Sequence, residues 1–451
     1  MTSPDADFLW GVATSSYQIE GYPLADGGGP CIWHEFAHTP GNTERGETGD
    51  IACDHYHRYR EDVALMRRLG VGAYRLSIRW PRVLPAGTGA ANEAGWAFYD
   101  RVIDACLSHG IRPFVTLYHW DLPAALQDRG GWLNPDMPAW FADYAAQAMR
   151  RLGDRVGHVI TLNEPWVTAG GGHLEGGAAP GMRNAFAAMR AVHGQILAHE
   201  AAYDAIRAER GGAQVGITLS NDFHRPERDT AEDRAAAARA NALVSYPLFL
   251  DPLLLGAYPP ELAEQVERLL GKARPLRMAA AGAPAALDFV GMNYYFTAYV
   301  ERAEDDLFGF RAVTHPEKPA TSMGWTIDPD GMLQLLLGLH GRYGRSGRLP
   351  VYITENGAAF DDRLEADGIH DQDRIAYLDA HIANVLRARD AGVDVRGYFL
   401  WSLLDNFEWA RGYDKRFGIV HVDRATLDRT VKDSGWWYAE VCRGARHPNL
   451  R

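Results

Sequence analysis

Two glutamates in this sequence stand where an apolar run stops and a helix breaker takes over. One ends Thr161-Leu162-Asn163-Glu164-Pro165, and the other sits in Ile353-Thr354-Glu355-Asn356-Gly357. A glutamate at a strand end is often only a salt-bridge partner or a helix-entry residue, and either one alone supports no more than that. The pair supports a definite chemistry. Glycoside cleavage takes two carboxyl groups flanking an anomeric carbon, about 5–5.5 Å apart for retention of configuration and farther apart for inversion. A sugar also needs aromatic faces to stack on and planar polar side chains for its hydroxyls. Such residues recur at the ends of the other apolar runs. Gln18 follows the first run, Arg75 lies in the second, and His119 and Trp120 follow the third. Asn293 and Tyr295 close the sixth, Trp401 closes the eighth, and Glu408 and Trp409 come shortly after. Singly, each aromatic is more readily core than platform; their convergence on one rim is the signal.

What must position them is a set of alternating strands and helices. Short β-branched and aromatic runs predict strands near residues 9–13, 73–78, 112–117, 159–162, 214–219, 289–293, 351–354 and 396–400. Between them, amphipathic stretches predict helices near 56–69, 93–109, 138–152, 185–209, 260–270, 331–343, 372–391 and 435–441. Val63, Met66 and Leu69 recur at helical spacing among charged residues, and Gly70 follows as a stop. Eight alternations fit an α/β fold closed as a (β/α)8 barrel with long βα loops better than an open doubly wound sheet. In that architecture the active site lies at the C-terminal ends of the strands, where the polar residues above fall.

The chain has 451 residues. Roughly 150 residues per domain would suggest two or three domains, yet no linker, low-complexity tract or charge block divides it. One catalytic domain over 1–451 is the expectation. The formal net charge of -12 repels phosphate backbones, so nucleic acid is not an expected partner. Met1 to Asp7 carry no basic and apolar leader, and no stretch reaches the roughly 20 apolar residues a membrane span needs. A cytoplasmic protein is expected. The four cysteines, Cys31, Cys53, Cys106 and Cys442, form no C-x-x-C pair and read as free thiols. Oligomeric state is not legible.

The motifs in order resemble glycoside hydrolase family 1, the bacterial β-glucosidase group. They are the run from Phe8 to Gly21, Tyr74 to Trp80, Tyr118 to Pro123, Thr161 to Pro165, Gly291 to Tyr295, Ile353 to Gly357 and Trp401 to Trp409. They span nearly the whole chain. The resemblance implies a retaining β-glycosidase acting on small β-glucosides or cello-oligosaccharides, and also on galactosides or fucosides, with no cofactor and no metal. It makes Glu164 the acid/base and Glu355 the nucleophile, with Arg75 and Tyr295 favouring the ionised form of Glu355 and Asn293 supporting the acid/base side. Asn163 would grip the sugar 2-hydroxyl. Gln18, His119 and Trp120 would hold the 3- and 4-hydroxyls, Glu408 and Trp409 the 4- and 6-hydroxyls, with Trp401 as the floor. Trp325 and Trp166 would face the aglycone.

Other readings meet specific objections. A 6-phosphoglycosidase would carry a Ser, Lys and Tyr set at the sugar 6-position, whereas this chain has Glu408, Lys415 and Phe417. A myrosinase-like member would lack an ionisable residue at 164. A metal-dependent hydrolase on His55-Tyr56-His57 needs a strand there, but the pattern predicts a helix, on which positions i and i+2 diverge. A non-catalytic sugar-binding relative would have lost one of the two glutamates. Three departures from the family pattern stand out. The glycine-rich 170–178 segment, with Ala178 in place of a common His, predicts a mobile, wider aglycone entrance. Gly28 replaces an Arg and His34 replaces an Asp, with no consequence assigned to either.

Overall fold

The computed structural model describes residues 8–271, 286–344 and 349–444. The lead-in Met1 to Asp7 lies outside them. Eight parallel strands close a barrel in the order β1-β11-β10-β7-β5-β4-β3-β2. They are β1 (Leu9–Ala13), β2 (Ala73–Ser77), β3 (Arg112–Tyr118), β4 (His158–Asn163), β5 (Gln214–Ser220), β7 (Phe289–Asn293), β10 (Val351–Asn356) and β11 (Val395–Trp401). Each coincides with an expected strand to within two residues. The fold is the expected (β/α)8 barrel.

The barrel's inside is packed with large rings opposite missing side chains. Phe114, Ile160, Phe289, Tyr352 and Phe399 form one interior cluster. A Cβ on Gly11 would sit 2.5 Å from the Phe399 ring, and one on Gly216 would sit 2.4 Å from the Phe289 ring. The aromatics therefore fill the barrel only because neighbouring strands supply glycine. Burying side chains of this size stabilises the barrel by about 1.5–3 kcal/mol each. A larger cluster lies between the strands and the surrounding helices, among them His55–Arg68, Glu93–Ser108, Met137–Leu152, Ala185–Glu209, Pro329–Tyr343, Gln372–Asp390 and Asp433–Cys442.

Several elements lie outside the eight expected strand–helix alternations. The expected 260–270 helix divides into a 3-10 turn, Pro260–Leu262, and the helix Ala263–Leu270. Two further helices, Ala231–Val244 and Pro247–Leu255, precede it. A small sheet of β6 (Phe223–Pro226), β8 (Thr297–Arg302) and β9 (Phe310–Val313) rises from the rim, and β12 (Val420–Val422) pairs with β13 (Arg429–Val431). These strands are three to six residues long and, apart from the buried β12, partly exposed, so they are too short or too mixed to show the pattern that marks a barrel strand. Among the described residues no helix is long and apolar enough to cross a membrane. Cys31, Cys53 and Cys106 are buried free thiols, and Cys442 is half-buried.

Candidate active site

Two irregularities in the barrel turn the key side chains inward. In β4, Ile160 joins the interior cluster, Thr161 bonds His199 on an outer helix at 2.6 Å, and Leu162 packs in the outer cluster. Two successive residues thus face outward. The β4–β5 register shifts between Ile160 and Asn163, and Asn163 swings back into the barrel mouth. In β10, Tyr352 points inward and Thr354 does too, donating to Asn293 Oδ1 at 2.7 Å. The β10–β7 register then shifts between Ile353 and Glu355, and Glu355 follows Thr354 inward. Bulges that re-aim a side chain in this way recur beside active sites.

These turns produce one continuous polar network. Arg75, fully buried in β2, donates to Glu355 Oε1 through Nη1 and to Asn163 Oδ1 through Nη2 at 2.5 Å. Tyr295 Oη donates to the other Glu355 oxygen, Oε2, at 2.7 Å. Asn293 Nδ2 donates to Glu164 Oε1 at 2.8 Å and to Asn163 Oδ1 at 3.1 Å. Because the Asn163 carbonyl oxygen is taken by Arg75 and Asn293, its amide nitrogen is left to donate to His119 Nε2 at 3.1 Å. Trp120 Nε1 donates to the Asn163 backbone oxygen at 3.0 Å.

The two glutamates sit in unlike settings. Both are buried, at 6% exposure for Glu164 and 3% for Glu355. Burial pushes the Glu164 carboxyl well above the ordinary range, and the Glu355 charge pushes it further. Burial raises Glu355 as well, but there Arg75 and the Tyr295 hydroxyl pull the other way. Desolvation, rather than the facing charge alone, is thus the larger reason that Glu164 holds its proton. His119 is kept neutral by burial and by the Arg75 charge.

At the far side of the mouth, Gln18 Nε2 donates to Asn406 Oδ1 at 3.1 Å, Phe407 O at 3.0 Å and Glu408 Oε2 at 3.3 Å. Glu408 is pushed up to about 8 by burial and by Glu355. Trp401, His119 and Trp409 form a stepped wall, with the His119 ring 5.8 Å from Trp401 and 6.1 Å from Trp409. Trp120 lies 4.6 Å from Trp409. Trp325 packs at 5.4 Å from Tyr295 and 6.0 Å from Phe417. Phe417 is buried beneath that pair and meets the Tyr295 ring edge-on.

Two residues with no role assigned from sequence belong to this network, and a third acts on it through its charge. Thr354 orients Asn293, and Asn406 anchors Gln18; both lie inside quoted motifs, so their place was legible and their partners were not. Asp222, just past β5, is half-buried; desolvation pushes its carboxyl up to about 7, and its charge raises Glu164. No motif announced it.

The other expectations resolve simply. His55 and His57 open a helix and diverge: His55 bonds buried Asp62 at 2.8 Å, while exposed His57 bonds Asp54 at 2.6 Å. The glycine-rich segment is a π-helical turn, Gly170–Glu175. A Cβ on Gly170 would sit 2.8 Å from Trp166, and one on Gly172 would sit 2.4 Å from the Ala179 carbonyl. Gly170 thus permits close packing against Trp166, and Gly172 against the Ala179 backbone.

Residues 2–446 match Glycosyl hydrolase family 1. The chain is 49% identical over 437 residues to Beta-glucosidase A of Thermotoga maritima, covering 97% of each. It is 42% identical over 456 residues to the Bifunctional beta-D-glucosidase/beta-D-fucosidase of Bifidobacterium breve, covering 96% of each. Among solved structures it is similar to a Thermotoga maritima beta-glucosidase in complex with glucoimidazole, with TM-score 0.94 and 49% identity over 98% of this chain and 99% of that one. The chain belongs to glycosyl hydrolase family 1.

Proposed function

We propose that the barrel mouth hydrolyses terminal non-reducing β-D-glucosides, and also β-D-fucosides and β-D-galactosides, with retention through a covalent glycosyl-enzyme intermediate. Glu355 is the nucleophile and Glu164 the acid/base. The observation that carries this assignment is the unequal dressing of the two carboxyls: a guanidinium and a phenol on Glu355, an amide on Glu164. In the first step the Glu164 proton passes to the departing glycosidic oxygen while Glu355 Oε2 or Oε1 bonds the anomeric carbon. Forming the ester removes the negative charge that raised Glu164. Its carboxylate then takes a proton from water, which attacks the anomeric carbon and frees Glu355.

The remaining residues bind the sugar. Asn163 meets the 2-hydroxyl, where contacts tighten as positive charge builds on the ring. With Nε2 accepting from Asn163, His119 carries its proton on Nδ1 and donates it to a hydroxyl. Gln18, Trp120, Glu408 and Trp409 take the 3-, 4- and 6-hydroxyls, and Trp401 is the stacking floor. The Glu408 carboxyl accepts from either 4-epimer, in keeping with a relative named for both glucosides and fucosides. Trp325 and Trp166 border the aglycone, and Phe417 backs the Trp325 platform. Cellobiose and short cello-oligosaccharides are the natural-substrate class.

The test is a panel of nitrophenyl β-glycosides with wild type, Glu164→Gln and Glu355→Gln. Both variants lose most activity; azide restores turnover of an activated substrate to Glu164→Gln, giving a β-glycosyl azide. Rescue of Glu355→Gln with a β-product, or inversion by the wild type, would reverse the assignment.

A further inference from the structure

The helix Ile32–His38 carries His34 and His38 one turn apart on one face, and Asp50 meets them from the segment that follows. The glycosidase chemistry uses none of the three. Their ligand atoms all lie within 4.8 Å of one another. The geometry points to a divalent-metal site here, taking Zn²⁺ or a similar imidazole-binding ion on His34 Nδ1, His38 Nε2 and the Asp50 carboxylate.

Orphaned atoms are the first support. His34 Nδ1 and Asp50 Oδ1 are both shielded from solvent and have no hydrogen-bond partner. They face each other at 3.5 Å, beyond the usual N–H···O range of about 2.7–3.2 Å. Zinc holds N and O donors at about 2.0–2.2 Å, so two donors on a tetrahedral ion stand roughly 3.3 Å apart. The gap therefore suits a shared cation better than a shared proton. The other edge, His38 Nε2 to Asp50 Oδ2, is 2.9 Å and opens to that value with a small rotation of the carboxylate.

The His38 ring is also oriented as a metal ligand's would be. Its Nδ1 lies 2.7 Å from the His34 backbone oxygen. A carbonyl only accepts, so Nδ1 carries the proton and Nε2 is the coordinating atom. Metal-ligating histidines are commonly fixed in this way by a backbone carbonyl on the far nitrogen. The site is reachable as well: the His38 and Asp50 side chains are each 42% exposed, so an ion can enter and water can complete the shell.

An ion there would bear on the sugar wall. The Trp33 ring, beside His34, lies 4.6 Å from Trp409, and Tyr17, packed against Gly49, stacks on Trp409 at 6.2 Å. Clipping His34 and His38 to Asp50 ties together the two segments that back Trp409. A second group, Glu365, Asp367 and His370, is exposed throughout, and His370 is already bonded to Asp433 at 2.8 Å, which makes it the control.

The experiment uses full-length enzyme stripped with a chelator and dialysed into metal-free buffer. It is titrated with ZnCl₂ by calorimetry and with CoCl₂ by absorbance. The expected result is one Zn²⁺ per chain, a Co²⁺ spectrum with nitrogen and oxygen ligands and no thiolate band, and a rise in unfolding temperature that grows with Zn²⁺. His38→Gln and Asp50→Asn each weaken binding by roughly 100-fold or more, since even outer-shell partners are worth about 10–100-fold. His370→Gln leaves binding unchanged. Wild-type turnover of a nitrophenyl β-glucoside by the two variants without metal confirms that they fold. No saturable binding up to about 1 mM Zn²⁺, binding that survives His38→Gln and Asp50→Asn, or binding lost in His370→Gln would each overturn the proposal.

Discussion

Replacing Tyr295 by Phe removes one hydroxyl and keeps the ring that packs against Trp325 and Phe417. That hydroxyl donates to Glu355 Oε2 at 2.7 Å, while Arg75 serves Oε1. Glu355 is almost fully buried, so no bulk water takes the vacated place. A hydrogen bond to a charged group is worth about 1.5–3 kcal/mol, and one pKa unit is about 1.36 kcal/mol. Losing the bond therefore raises the Glu355 pKa by about one to two units. The nucleophile must be ionised to attack, so the acid limb of the pH profile of kcat/KM moves to higher pH by that amount. Below the new midpoint, activity falls about tenfold per pH unit. The assay is nitrophenyl β-glucoside hydrolysis by wild type and Tyr295→Phe across that limb, with thermal unfolding confirming the fold. An acid limb that stays in place or moves to lower pH, whatever happens to the plateau, refutes the claim that this hydroxyl holds Glu355 ionised.

Three other outcomes follow from the buried charges. Glu408 stays protonated up to about 8 in the free enzyme, and sugar hydroxyls donating to it favour its ionised form; glucose analogues thus bind with proton release and tighten as pH rises toward that value. Calorimetry in buffers of different ionisation enthalpy reads this, and Glu408→Gln abolishes it. Glu164 is raised in the folded state, so it costs stability as pH climbs from its unfolded value near 4.3 toward its folded one; Glu164→Gln melts higher than wild type, with a margin that widens over that window. Lys432, fully buried, bonds Asp405 at 2.8 Å and Asp362. Lys432→Met leaves those carboxylates without their ammonium, costing about 3–5 kcal/mol, and lowers both the unfolding temperature and affinity for glucosides.

How far the site could be read from sequence depended on what kind of fact each part was. That Glu164, Glu355, Asn293 and Trp401 end strands was legible, because the apolar runs before them are long enough to be unambiguous and a breaker follows each glutamate. That Asn163 and Glu355 face inward was not. Strict alternation would send Asn163 and Ile160 to opposite faces and Glu355 to the face opposite Thr354, and only the register shifts undo this. Asp222 was silent because a lone Asp in a loop carries no period. The rim sheet of β6, β8 and β9 was silent because short, half-exposed strands need neighbours before they have a pattern. The glycines at 170 and 172 were visible as glycines, but whether they loosen a loop or admit a neighbour depends on what packs against them.

The backbone shows why such a site needs so large a scaffold. Glu164, Trp120 and Trp409 all lie in the left-handed region, with φ of 46°, 71° and 53°. None is a glycine or asparagine, and residues held in sparsely populated backbone regions cost of order 1–3 kcal/mol each. At Glu164 the conformation turns the chain from β4 into the helix Pro165–Ala169 at a single residue, so the carboxyl is delivered at the strand end instead of being carried off along the helix. The amide still donates to Thr218 O at 2.8 Å and the carbonyl accepts from Val167 at 2.9 Å, so the strain leaves no backbone group unpaired. Trp409 is held by the run that starts at β11 and is pinned midway by Asp405, whose carboxyl is kept far below the usual carboxylate range, against the effect of its burial, by Lys432 and His421. The ion pairs under that loop and the aromatic core within the barrel thus serve the same end. They hold three strained residues in place, and on the function proposed above those residues are the acid and two of the sugar-binding rings.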